Sequence, residues 1–106
     1  MNNRCFHEGW QDRALLYLHS LKDIPRRKTK LIFVRLCEYA LSNDKWEDGK
    51  LTLHLSVDEM AEVCSSTRSS VITALSTLSE CGAITRVSSE SPFVRAVTII
   101  NFVDDM

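Results

Sequence analysis

The stretch LTLHLSVDEMAEVCSSTRSSVITALSTLSECGAITRV, residues 51–87, decides the fold. It opens on Leu51-Thr52-Leu53-His54-Leu55, whose alternation with period two predicts a half-buried strand. Ser56 follows, with Glu59 three residues on, the spacing of a capping box at the start of a helix. A second helix begins at Thr67, places Val71, Ala74, Leu75 and Leu78 at helical spacing, and stops at Gly82. Its other face is left to Ser, Thr and Arg. Two short helices joined by about three residues are the layout of a helix-turn-helix.

Working outward, residues 83–87 read as a strand, residues 88–93 as a polar turn containing Pro92, and residues 94–102 as a returning strand. A helix-turn-helix followed by such a hairpin is a winged helix. On the N-terminal side, residues 9–22 read as a helix with Trp10, Ala14, Tyr17 and Leu21 in a heptad-like seam that Leu15 and Leu18 widen. That seam suits either the domain's own core or the same helix of a second subunit. Ile24-Pro25 interrupts it, because the residue before a proline avoids helical geometry and Pro25 suits a new first turn. The next helix runs to about Ser42, with Leu31, Val34, Cys37, Tyr39 and Leu41 apolar. Leu31-Ile32-Phe33-Val34 is apolar on nearly every side, which predicts a buried helix. Residues 43–50, with Asp48-Gly49, read as a polar loop.

The expected fold is therefore α+β and mostly helical. It is a winged helix-turn-helix with a small three-stranded antiparallel sheet, preceded by an N-terminal helix. Residues 1–23 form the N-terminal tail and helix, and residues 24–106 the winged-helix domain. Residues 1–8 read as a loose end and Asp104-Asp105-Met106 as a tail.

At 106 residues the chain fits one domain with a modest core. Its apolar runs are too short to span a membrane, and its first residues lack the profile of a secretory signal, so a cytoplasmic location is expected. A formal net charge of −1 gives no support by itself to nucleic-acid binding. Distribution matters more, since only a docked face must be positive. Arg26, Arg27, Lys28 and Lys30 form one dense basic cluster. Cations at a helix N-terminus oppose its dipole by roughly 0.3–1 kcal/mol each, so an outside anion such as phosphate gives them a purpose beyond solvation.

Cys37, Cys64 and Cys81 fall on or near apolar helix faces and are expected to be buried free thiols. Cys5 with His7 is too sparse a pair for a metal site, and His19 and His54 read as structural or exposed. There is no Gly-rich phosphate loop, no Gly-x-Ser-x-Gly and no paired-His metal motif, so no enzyme activity and no cofactor are expected.

From about residue 10 to 101 the chain resembles the C-terminal DNA-binding domain of the cyclic-AMP receptor protein and fumarate–nitrate reductase regulator (Crp/Fnr) family. The likeness is densest from Asp48 to Arg86. Ala61, Ser65 and Val71 stand where the motif wants a small residue, a turn residue and a buried β-branched residue. The resemblance implies sequence-specific binding of double-stranded DNA as the reading part of a transcriptional regulator. The recognition helix, residues 67–81, would enter the major groove, and the wing, residues 83–102, would lie on the backbone.

By that resemblance Thr67 caps the recognition helix, and Arg68 stands where the family places its first base-reading arginine. Ser69 falls where many members carry a glutamate, and Thr73 where many carry a second arginine. Both departures remove hydrogen-bonding groups for specific bases, an acceptor for cytosine and a bidentate donor for guanine, so the family's usual half-site is not assumed for this chain. Ser56 and Arg26, with Arg27 beside it, match phosphate-contacting positions, as do Ser88 and Ser89 at the wing tip. Ser65 replaces the usual turn glycine, at a small cost in stability. For Ser69, Ser70 and Thr73 taken singly, a solvated helix face is the simpler reading, and their joint position gives them meaning.

Family members also carry a β-barrel sensor and a long dimerisation helix. The helix at residues 9–22 resembles the end of the latter, so the chain looks like part of a longer regulator or a relative without a sensor. A homodimer through the N-terminal helix and contact with RNA polymerase are further implied partners. Two other readings stay open: a winged-helix module for protein–protein interaction, which the near-neutral charge favours, and a DNA-binding protein of phage or plasmid replication or partition.

Overall fold

One helix gathers the others around it. In the computed structural model, which describes residues 6–21, 26–87 and 96–104, α2 (Arg27–Ser42) packs against α1 (Trp10–His19), α3 (Val57–Val63), α4 (Arg68–Glu80) and strand β2 (Lys50–Leu53). The remaining strands are β1 (Trp46–Glu47), β3 (Ile84–Val87) and β4 (Val97–Ile100). Phe33, Leu36 and Cys37 of α2 are fully buried, together with Met60, Val71 and Leu78 from α3 and α4 and Leu51, Leu53 and Ile100 from the sheet.

The α+β winged helix-turn-helix read from the sequence is the fold observed. The expected three strands form an antiparallel sheet, with β2 pairing β4 through Thr52↔Ile99 and β3 pairing β4 through Ile84↔Ile100. A fourth strand extends it, giving the order β1-β2-β4-β3. Residues 43–50 are thus no simple loop. Asp48 (φ 53) and Gly49 (φ 81) both take left-handed backbone and close a two-residue hairpin, with Glu47 opposite Lys50.

The alternation expected of residues 51–55 also fails. β2 is an inner strand, and Leu51, Thr52 and Leu53 are all buried. Thr52 can be buried because its hydroxyl donates to the Lys50 carbonyl (3.2 Å) and its amide to the Lys45 carbonyl (2.8 Å).

The α2 helix is less enclosed than its run of apolar residues suggests. Ile32 and Phe33 are buried, but Leu31 is 56% exposed and Val34 only partly covered. Those two side chains line a groove of about 520 Å³ between α1 and α2, whose rim carries His19, Arg27 and Lys30.

The α1 seam serves the domain's own core. Trp10, Ala14 and Leu18 are buried, while Leu16 on the opposite side is 68% exposed. Of the expected loose end and tail, the described residues Phe6, His7 and Asp104 are anchored to this helix, and residues 1–5 and 105–106 lie outside the described residues. The Phe6 ring meets those of Trp10, Trp46 and Phe102 edge-on at 5.2–5.8 Å. The Asp104 carboxylate, with only 1% of its side chain exposed, accepts from Arg13 Nε (2.6 Å), Arg13 Nη2 (2.9 Å) and the His7 amide (2.7 Å). Those bonds hold its pKa well below the ordinary 3.8, the Arg13 guanidinium contributing most and burial opposing it.

Candidate nucleic-acid interface

Helix α3 starts as its sequence dictates. Ser56 Oγ accepts from the Glu59 amide (3.1 Å) while the Glu59 carboxylate accepts from the Ser56 amide (2.9 Å), a complete capping box. The helix ends in a tight turn that aims the next one. Ser65 takes left-handed backbone (φ 50), its amide donating to the Glu62 carbonyl (3.1 Å) and the Ser66 amide to the Ala61 carbonyl (2.9 Å). That pair of bonds is a Schellman motif, normally built on glycine. Helix α4 ends likewise at Gly82 (φ 88), with Ala83 donating to the Leu78 carbonyl (2.9 Å).

Thr67 begins α4 as expected, its Oγ1 accepting from the Ser70 amide (3.1 Å) and donating to Ser70 Oγ (2.9 Å). Val71, Ala74, Leu75 and Leu78 hold the helix to the core. Arg68, Ser69 and Thr73 are exposed, so the start of α4 faces outward.

Arg68 is not free there. Its Nη1 lies 3.0 Å from Asp58 Oδ1 in the first turn of α3, both side chains being well exposed. That contact brings the start of α3, including the Ser56 cap, beside the start of α4. Arg26 caps α2 through its backbone only and is exposed, whereas Arg27 lines the α1–α2 groove. Ser88 and Ser89 lie outside the described residues.

Two residues escaped the sequence reading. Ile72 is 47% exposed on the outward side of α4. The signal was available: once Val71, Ala74, Leu75 and Leu78 point inward, Ile72 must point out with Ser69 and Thr73. Arg86 on β3 sits opposite Thr98, and neither Arg86 Nε nor Thr98 Oγ1 finds a hydrogen-bond partner among the described residues. Burial lowers the Arg86 pKa.

Cys37, Cys64 and Cys81 are free and buried, as expected. Burial pushes the Cys64 thiol up to about 11 and Cys37 higher still, so both are packing groups at neutral pH. Among the described residues no group of His, Cys, Asp or Glu is arranged to hold a metal ion, and no helix is long and apolar enough to cross a membrane.

A family model of the Crp-like helix-turn-helix domain matches residues 34–99, well over half of the chain. The chain belongs to that family. The Crp-like match starts within α2 and ends within β4, so it covers the helix-turn-helix and reaches every strand of the sheet, and α1 lies outside it. Membership makes this a DNA-binding domain of the helix-turn-helix type, from a non-enzymatic family. No curated protein and no solved structure matches the chain.

Proposed function

We propose that this Crp-like domain is the sequence-reading part of a cytoplasmic Crp/Fnr-like transcriptional regulator. The observation that carries the proposal is the outward-facing start of α4, which presents Arg68, Ser69, Ile72 and Thr73 on a helix whose opposite side is fixed in the core. Such a helix fits the major groove, where base pairs differ in their hydrogen-bonding edges. Arg68 would read a guanine through O6 and N7, Ser69 and Thr73 would donate or accept at neighbouring bases, and Ile72 suits a thymine methyl. Ser56, Thr67, Arg26, Arg27 and the wing residues Ser88 and Ser89 would contact phosphates and set the register, with residues 83–102 along the backbone.

A homodimer would read a two-fold symmetric site with recognition helices about 34 Å apart. Because Trp10, Ala14 and Leu18 are used inside the domain, pairing through α1 would rest on its other side, around Leu15 and Leu16. RNA polymerase would be a further partner of the assembled regulator.

Selecting bound duplexes from a random pool tests the reading. A palindromic consensus supports the dimeric reader. The Arg68→Ala variant should then lose its preference at one base pair per half-site, worth about 1–3 kcal/mol. Unchanged preference in that variant would contradict the role of Arg68. The reading as a protein-interaction module predicts instead no retardation of random duplex at low salt.

A further inference from the structure

The ion pair between Arg68 and Asp58 has no evident purpose in folding. Its charged atoms are 3.0 Å apart, but the side chains are 64% and 72% exposed, and a pair so open to water and salt adds little to stability. Its position says more. Arg68 is the first residue of α4, where the helix dipole disfavours a cation, and the first turn of α4 carries no acidic residue. The compensating anion comes from the neighbouring helix, where Asp58 sits in the first turn, the end of α3 that favours negative charge.

To Arg68, the Asp58 carboxylate offers what a DNA phosphate would offer: an oxygen anion accepting a charge-assisted hydrogen bond. A non-specific duplex that approaches Arg68 therefore meets a guanidinium whose charge is already neutralised by Asp58, and gains little from it. It must also bring its phosphates close to the Asp58 charge, which repels them. A matching guanine is different. The guanidinium has five N–H donors in a rigid fork, so Nη1 can stay on Asp58 while the remaining donors engage O6 and N7.

Resting on the reading of Arg68 as the base-reading arginine, we propose that Asp58 is a positioning residue that sets specificity. It holds the Arg68 guanidinium against the start of α3, withholds it from phosphates, and presents its free edge to bases.

The test compares the full chain, Asp58→Asn, Arg68→Ala and the double variant on the selected site and on random duplex, over a range of salt. Far-UV circular dichroism and melting check that each variant is folded. Asp58→Asn should bind random duplex about three- to tenfold more tightly at low salt and lose a similar factor in specificity ratio. The gain should be much smaller when Arg68 is already alanine, only the direct repulsion of phosphates by Asp58 being left to remove, and Asp58→Glu should keep part of the parent's ratio. An Asp58→Asn variant with unchanged affinities, while Arg68→Ala abolishes discrimination, overturns the role of Asp58 and leaves DNA reading intact. An equal gain with and without Arg68 also overturns it, since Asp58 would then act as a plain surface charge. Failure of the parent to bind any duplex removes this proposal and the DNA-reading proposal together.

Discussion

Ser65 holds a left-handed backbone (φ 50) at the turn that sets α4 relative to α3, a conformation costing a residue with a side chain roughly 1–2 kcal/mol. Ser65→Gly removes that strain but loosens the unfolded chain, so the net gain should be about 0.5–1 kcal/mol, measured by urea unfolding. The opposite sign is expected at Ser56. Ser56→Ala deletes the acceptor for the Glu59 amide and should cost about 1 kcal/mol in the same assay. Asp104 gives a pH signature. Its carboxyl is held well below its ordinary pKa by Arg13, so the unfolded chain takes up the proton first as acid is added. The contribution is complete above the unfolded carboxyl's range, about pH 4, and is lost as pH falls toward the folded value. Melting temperature should therefore drop between about pH 5 and 2, and Asp104→Asn should flatten part of that drop while lowering the melting temperature by roughly 5 °C at pH 7.

At the scale of elements, the two central helices and the motif were legible because local chemistry and tertiary need agree there. Capping residues start α3 and α4, Gly82 stops α4, and helical spacing marks the inward face. The hairpin of β1 and β2 was missed although Asp48-Gly49 is a strong turn signal, since a two-residue strand offers no periodicity to count. Thr52 broke the alternation because its buried hydroxyl bonds locally, which sequence cannot show. The run of apolar residues in α2 said how many large side chains there are, not where α1 would leave a groove over Leu31 and Val34. Helix α1 itself is bound to the core by Leu18, fully buried, so Leu18→Ala should destabilise the whole domain by about 2–5 kcal/mol, read from a single unfolding transition. On the proposed reading, the basic start of α2 contributes to DNA affinity rather than to folding. Joint Arg26→Ala and Arg27→Ala substitution should weaken all duplexes alike and lower the slope of log affinity against log salt by about 2, measured by fluorescence anisotropy.

For the molecule as a whole, a net charge of −1 means that affinity for DNA cannot come from bulk attraction. The cations of Arg26, Arg27 and Lys28 are exposed at one helix start, while Asp44, Glu47 and Asp48 are exposed around the β1–β2 hairpin. A molecule so divided should bind weakly to random duplex and depend on matched base edges. The site residues were legible only in part, because their roles depend on what α4 meets outside the chain, and the Asp58 contact joins residues ten apart on separate helices. The most direct measurement is a backbone amide NMR titration of the domain with a selected duplex. Perturbations should be largest at residues 56–58 and 67–73 and small at the acidic β1–β2 hairpin around Asp48. A duplex that binds tightly while residues 67–73 stay silent would contradict the placement of α4 in the major groove.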